Sequence, residues 1–149
     1  YVVVAKGNGI TNLYIGKTGD NREGCNPMIS RCGNHFSYNE IHSQVRNKLE
    51  GHEDWSYTYV FDHFDEYPDN EDERSLCIVR INEMERWLNT EIQGLTREYK
   101  DVIVLNSYKG TGYIKKAEKA RRLSFRTEEA LAKIEGIIAG VKEVLDIDR

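Results

Sequence analysis

Hydrophobic residues occur in short groups along the chain, and their spacing changes from strand-like to helix-like. The first group, Tyr1-Val-Val-Val-Ala, is apolar and β-branched, which predicts a buried strand. Residues 6–9 supply Gly and Asn, which tolerate positive φ, and residues 13–16 then predict the returning strand. The beginning of the chain therefore predicts an antiparallel hairpin. Because the apolar run is already under way at Tyr1, we expect further residues to precede it.

Helical spacing dominates three later segments. Residues 28–49 favour one helix or, because Gly33 and Asn34 weaken its first part, two short ones. Asn70, with Glu73 three residues later, resembles a capping box at the start of a long helix. Residues 127–145 predict a final helix that packs on the domain or on a second copy of itself. The apolar positions of the three segments are Ile29, Phe36, Ile41, Val45 and Leu49; Ile78, Ile81, Leu88, Ile92 and Leu95; and Leu131, Ile134, Ile138, Val141 and Leu145.

Two further strands complete the expected fold. Residues 55–61 alternate and are rich in Tyr and Thr, and residues 102–105 are apolar and lead into Asn106. The pattern predicts an α+β fold, with a small, mainly antiparallel sheet flanked by helices and an appended C-terminal helix. We expect one domain over residues 1–108, followed by a basic segment and an amphipathic helix over 109–149.

Composition narrows the class of protein. The chain has 149 residues, of which 39% are hydrophobic and 31% charged, and this balance is typical of soluble globular domains rather than disordered ones. No run approaches the roughly 18 apolar residues of a membrane span. The three cysteines, Cys25, Cys32 and Cys77, are odd in number and lack CxxC spacing. They argue against a disulfide framework or a zinc cluster and predict a reducing, cytoplasmic location.

Charge is segregated along the chain. The net charge is −4, but residues 109–126 hold seven basic residues and one acid, a net +6, so the remainder carries −10. Acidic residues concentrate at 62–73. A basic face on an acidic protein can still attract phosphate, because the local field matters more than the total charge. We therefore predict nucleic-acid phosphate contacts by six of the seven cations, namely Lys109, Lys115, Lys116, Lys119, Arg121 and Arg122.

Glu85 interrupts the apolar stripe of the long helix. A carboxylate on a core-facing stripe is costly unless another group pairs with it, so Glu85 is a candidate functional residue. Glu83 and Glu91 on the same segment are its rivals. We favour Glu85 because Leu88 and Ile92 follow it at helical spacing.

Taken in order, the candidate residues resemble the GIY-YIG nuclease family. In that family a strand Tyr is followed, after a short turn, by Tyr-Ile-Gly or Tyr-Val-Gly on the next strand. An Arg on the first helix, a Glu on a later helix and often an Asn complete the site. The resemblance covers residues 1–106, and its matching positions are Tyr1, the run Tyr14-Ile15-Gly16-Lys17-Thr18, Arg31 with His35, Glu85 and Asn106.

The resemblance implies a divalent-metal-dependent endonuclease that hydrolyses DNA phosphodiester bonds. Glu85 would hold one ion, Mg²⁺ or Mn²⁺, which keeps several waters and needs few protein ligands. Arg31 would neutralise the phosphate with its planar fork of donors. Tyr1 would be the general base.

Four other residues would support this chemistry. A phenol ionises near pH 10 in water, so the base needs cationic neighbours, and Lys17 and His35 are the ones the sequence offers. Tyr14 and Asn106 would orient water and backbone by hydrogen bonds.

The match departs from the family pattern at two places, before the first strand and after the second. The Gly-Ile expected ahead of Tyr1 would lie before the first residue, and the segment between Gly16 and Arg31 is longer than in compact members. Arg22 is therefore a rival for the arginine role. An Arg with His four residues later is similar to the restriction-enzyme branch, which favours Arg31 and a restriction or phage-type enzyme.

Two other functions remain open. One is a catalytically inactive, nuclease-like DNA-binding or regulatory module. The other is an interaction protein that assembles through its C-terminal helix, with the tyrosine pair merely structural. If the enzyme cuts both strands at a specific sequence, a homodimer is favoured, because two sites must face two strands.

Overall fold

The computed structural model of the protein describes residues 1–19, 28–37, 43–107 and 114–147. Four strands and four α-helices occur within these ranges, with 3₁₀ turns at Arg46–Lys48 and His52–Asp54. In chain order the elements are β1 (Val2–Gly7), β2 (Ile10–Ile15), α1 (Met28–His35), β3 (Ser56–Val60), α2 (Glu71–Thr96), β4 (Val102–Val104), α3 (Lys116–Leu123) and α4 (Glu128–Leu145). The predicted α+β class, with helices flanking a small sheet and a C-terminal helix, is confirmed.

The hairpin of β1 and β2 is the centre of the sheet. Asn8 and Gly9 both have positive φ, 53° and 74°, which gives the tight turn whose twist matches the flanking strands. The register pairs Val2 with Ile15 and Val3 with Tyr14. The predicted hairpin is therefore confirmed.

The sheet is mixed, in the order β3-β1-β2-β4. Strand β3 pairs antiparallel with β1, whereas β4 pairs parallel with β2. The sheet is thus mainly antiparallel, as expected, and the predicted third and fourth strands are confirmed to within one residue at each end.

Helix α2 begins where its capping signal predicts. The Asn70 side-chain oxygen accepts hydrogen bonds from the backbone nitrogens of Asp72 (3.0 Å) and Glu73 (3.1 Å). Three acids in the first turn also suit the positive end of the helix dipole.

Helices α2 and α4 pack on one face of the sheet. The alternation of β1 and β2 turns Val2, Val4, Leu13 and Ile15 towards these helices. Helix α4 contacts α2, β1 and β3, so the predicted final helix packs on the domain itself. The helix residues that complete this core are Met84, Trp87, Leu88 and Ile92 on α2 and Ala130, Ile134, Ile137 and Val141 on α4.

The opposite face of the sheet carries a smaller aromatic core. Tyr1, Val3 and Tyr14 project there and pack with Val45 and Leu49 from the region after α1. Among the described residues, no helix has both the length and the apolar character needed to cross a membrane.

The prediction of one helix over residues 28–49 is wrong, and the two-helix alternative is nearer. Helix α1 ends at His35, and Phe36 and Ser37 close a turn onto the carbonyls of Gly33 and Asn34. The hydroxyl of Ser43 then donates to the His35 carbonyl oxygen (2.6 Å), which fixes the chain after the helix end.

The predicted buried face of α4 is also partly wrong. Leu131 is 43% exposed, and Ala130 and Ile137 take core positions that the periodicity had not assigned. The helix presents a stripe rotated towards Ala130 because small residues such as Gly140, whose Cα lies close to Val60, allow a close approach to the sheet.

The first prediction tests this orientation of α4. Ile134→Ala should lower the free energy of unfolding by about 2–5 kcal/mol, because Ile134 is 4% exposed and a cavity would remain. Leu131→Ala is the matched control and should cost less than about 1 kcal/mol. Urea unfolding followed by circular dichroism measures both. Equal losses would contradict the observed packing face.

Candidate active site

Residues far apart in sequence meet at one end of the sheet. Strand β1 begins there, β2 ends there, and β4 runs parallel to β2 and ends beside it. Backbone hydrogen bonds join Tyr1 and Gly16 in both directions, each 3.0 Å long. This topology brings the predicted residues Tyr1, Lys17 and Asn106 to the same edge.

Tyr1, Tyr14 and His35 form a buried aromatic cluster. The Tyr1 hydroxyl lies 2.5 Å from His35 Nε2, and the Tyr14 and His35 rings meet edge to face with centroids 4.8 Å apart. His35 is fully buried, and both tyrosines are less than 10% exposed. The three predicted side chains are therefore brought together, on the face of the sheet that carries the smaller aromatic core.

Gly16 is required by the close approach of Tyr1. A Cβ at position 16 would overlap the Tyr1 ring and its hydroxyl oxygen. Glycine is thus required at position 16 for a steric reason, since only a residue without a side chain leaves room for the Tyr1 ring.

Lys17 and Glu85 form an ion pair beside Tyr1. Lys17 Nζ donates to Glu85 Oε2 at 2.7 Å, and the two side chains are 21% and 28% exposed. Both residues and Tyr1 line the same cavity. The pair therefore places a partly exposed carboxylate and cation at the mouth of this cavity.

Asn106 pairs with the backbone of β2. Its Oδ1 accepts from Ile15 N and its Nδ2 donates to Ile15 O, each at 2.8 Å. The side-chain amide thereby mimics one further residue of β4 and fixes the end of β2, immediately before Gly16 and Lys17.

The three acids of α2 occupy different environments. Glu83, not Glu85, is the buried one: it is 3% exposed and binds Arg126 (3.0 Å) and Arg86 (3.5 Å). Glu91 is exposed and accepts from Trp87 Nε1 (3.2 Å). The expectation that Glu85 fills the core-facing stripe is wrong, because Glu85 lies at the rim. Only Glu85 of the three adjoins Tyr1 and Lys17.

Sequence reasoning missed Asn89, beside Glu85, and Lys48, beside Tyr14. A second cleft, of about 200 Å³, is lined by Glu85, Arg86, Asn89 and Asn106. Asn89 lies four residues after Glu85 on α2, so helical spacing could have placed it beside the carboxylate. Lys48 also approaches the site, with its Nζ 5.8 Å from the Tyr14 ring centroid.

The arginine favoured by the sequence, Arg31, lies on helix α1. It falls one turn before His35, but its side chain lies outside the described part of the chain. Arg22 and Lys109 also lie outside the described residues.

The remaining basic residues lie on or beside α3. Lys115, Lys116, Lys119 and Arg121 are exposed, while Arg122 is half-buried. Arg121 and Arg122 both bind Glu118, with N–O distances of 2.9 Å. These hydrogen bonds lower the pKa of the Glu118 carboxyl from 4.5 to about 2. The three lysines therefore provide most of the positive charge that faces solvent here.

The donor set near Glu85 fits a hydrated divalent ion. The described residues contain no group of three or more His, Cys, Asp or Glu side chains of the kind that holds zinc. Instead, one carboxylate shares a cleft with the amide groups of Asn89 and Asn106. Oxygen donors of this kind suit Mg²⁺, which retains several of its waters.

Compared with protein-family models, with curated proteins and with solved structures, the chain matched none of them.

The second prediction concerns the contact of Gly16 with Tyr1. Gly16→Ala should destabilise the protein by about 1–3 kcal/mol, because the new methyl group must displace a buried ring. Gly94→Ala is the matched control: its site on α2 is open, and alanine there should be neutral or stabilising by up to about 1 kcal/mol.

A double-mutant cycle separates this contact from other effects. In a Tyr1→Ala background the cost of Gly16→Ala should shrink, because the clashing ring is gone. An undiminished cost would refute the steric role, and urea unfolding measures all four proteins.

Proposed function

We propose that the protein is a divalent-metal-dependent endonuclease of the GIY-YIG type that hydrolyses DNA phosphodiester bonds. The observation that carries the proposal is the meeting of Tyr1, Lys17 and Glu85 around one cavity, with His35 bonded to Tyr1. These residues come from four separate places in the sequence. Their juxtaposition supports a role in chemistry, since a phosphodiesterase needs a base, a cation and a metal-binding carboxylate in one place.

Tyr1 and His35 provide a route for a proton. With His35 neutral and its proton on Nδ1, the Tyr1 hydroxyl donates to Nε2. The Tyr1 oxygen can then accept a proton from the attacking water while its own proton passes to His35 Nε2. The imidazole thus removes the need for a free phenolate, which water alone would form only near pH 10.

Lys17 and Glu85 serve the phosphate. Glu85 would hold the metal ion, with Asn89 as a neighbouring oxygen donor; when bound, Mg²⁺ or Mn²⁺ would neutralise charge on the phosphate and on the departing 3′ oxygen. Lys17 holds the Glu85 carboxylate in place and adds a positive charge at the mouth of the cavity. Asn106 keeps β2 in register so that Lys17 faces Glu85. Arg31 is proposed as the phosphate clamp.

The basic segment is proposed to follow the DNA backbone. Exposed lysines on and beside α3 can neutralise phosphates without reading sequence. A restriction or phage-type role, a homodimer that cuts both strands and a cytoplasmic location belong to the same proposal. The free thiols of Cys32 and Cys77 support a reducing compartment.

The third prediction tests the chemistry. With Mg²⁺, the protein should convert supercoiled plasmid to nicked and linear forms, and EDTA should stop it. Glu85→Gln should lower the rate by at least about 100-fold, because it removes the metal-binding charge. Glu91→Gln is the matched control on the same helix and should cut normally, since Glu91 is exposed and lines neither the cavity nor the second cleft.

If wild type binds DNA but cuts it with neither Mg²⁺ nor Mn²⁺, the catalytic proposal fails and the inactive binding module replaces it. Equal loss of cleavage in both variants would instead show that Glu85 has no special role.

The fourth prediction tests the DNA-binding surface. Lys116→Ala and Lys119→Ala should each weaken DNA binding and reduce the slope of log K against log[salt] by about 1, because each removes one phosphate contact. Lys100→Ala is the control, an exposed lysine beside β4 and outside the basic segment. Fluorescence anisotropy with a labelled duplex at several salt concentrations measures these slopes. Oligomerisation without any DNA affinity would favour the interaction protein.

A further inference from the structure

A cavity of about 340 Å³ adjoins the candidate active site. It lies between the irregular segment 61–67 and the helices α2 and α4. Tyr1, Lys17 and Glu85 line one end of it, so the cavity opens directly beside the proposed phosphate position. Its volume is within the range of small-ligand sites, which runs from roughly 300 to 1,000 Å³.

The inner walls of the cavity are apolar. Ile81, Met84 and Leu88 of α2 face Ile134 and Ile137 of α4 across it. Such walls offer no partner to a phosphate or a sugar hydroxyl, but they suit a flat ring system.

The rim of the cavity is acidic. Asp62 is paired with Lys133 (3.6 Å), and Lys17 is paired with Glu85, so these charges largely cancel. Asp65 and Glu66 also line the cavity, and neither forms an ion pair with the described part of the chain. An anionic group is therefore repelled from the cavity, whereas a group that donates N–H bonds is favoured.

An exposed aromatic ring stands at the entrance. Phe61 is 56% exposed, and of the large hydrophobic side chains exposed in the described ranges it alone lines this cavity. The neighbouring Phe64 ring is already engaged, with Arg80 Cζ 4.0 Å from its centroid and Lys133 Nζ at 5.3 Å. Phe61 is thus the exposed hydrophobic ring of this cavity that can stack on a ligand.

We propose that this cavity binds a nucleobase carrying an exocyclic amine, namely cytosine, adenine or guanine, from the nucleotide whose phosphate lies at Lys17 and Glu85. The apolar walls and Phe61 hold the ring, and Asp65 or Glu66 accepts from the amine, as carboxylates do from cytosine N4. The charge of the rim keeps the phosphate outside, beside Lys17. The assignment of this base to a DNA strand rests on the proposed nuclease function.

The experiment is an NMR titration of the protein with cytidine and with uridine, which carries a carbonyl oxygen in place of the amine. Cytidine should bind at least about fivefold more tightly than uridine. Phe61→Ala should weaken cytidine binding at least about fivefold, as expected for a lost stacking partner. Leu76→Ala is the matched control, because Leu76 is 57% exposed and does not line the cavity. Asp65→Asn combined with Glu66→Gln should remove the preference for cytidine.

Short single-stranded DNA should compete with cytidine for the site. Binding of neither nucleoside, or equal weakening by Phe61→Ala and Leu76→Ala, overturns the proposal. Cytidine binding that DNA cannot displace overturns the assignment of the base to a DNA strand.

Nucleoside binding needs neither metal nor bond cleavage, so the two proposals can fail separately. A protein that binds cytidine as described but never cuts plasmid keeps the base site and loses the nuclease. A protein that cuts plasmid but binds no nucleoside keeps the nuclease and loses the base site.

Discussion

The register between β1 and β2 is the constraint on which the site depends. Pairing Val2 with Ile15 turns both towards α2 and α4, and it turns Tyr1 and Tyr14 towards His35. Because side chains alternate along a strand, a slip of one residue would exchange the two faces and bury the tyrosines among the aliphatic residues. The tight turn at Asn8 and Gly9 and the bonds from Asn106 to Ile15 fix this register from both ends.

Local sequence signals were enough for the elements whose stability is local. The turn residues at Asn8 and Gly9 and the cap at Asn70 each specify a backbone or hydrogen-bond pattern within a few residues. Prediction from hydrophobic spacing failed over residues 28–49, because the apolar positions keep helical spacing to Leu49 whereas helix α1 ends at His35. The bond from Ser43 to the His35 carbonyl and the burial of Val45 under the sheet depend on tertiary contacts that periodicity does not contain.

The candidate site shows the same division. The family resemblance predicted that Tyr1, Lys17 and Glu85 belong to one site, and the packing of α2 against the sheet brings these three residues to one cavity. The burial and ion pairing of the three candidate glutamates on α2 could not be predicted from the sequence. Glu83 is buried because Arg126, 43 residues away, reaches back to it and also lies over Trp87, 4.7 Å from the ring centroid. The neighbouring cavity was likewise invisible, because it forms between segments distant in sequence.

The packing of α4 on β1 has a consequence for how the protein is made. The two elements are separated by 121 positions, from Gly7 to Glu128, and the Lys6 ammonium reaches the Val144 carbonyl at the far end of α4. During translation the first strand leaves the ribosome long before its covering helix exists. The larger core therefore closes only after synthesis of α4. Contacts between residues so far apart in sequence lower the folding rate. Until that moment, Val2 and Val4 remain uncovered by α4, so the nascent hairpin exposes apolar surface that favours aggregation.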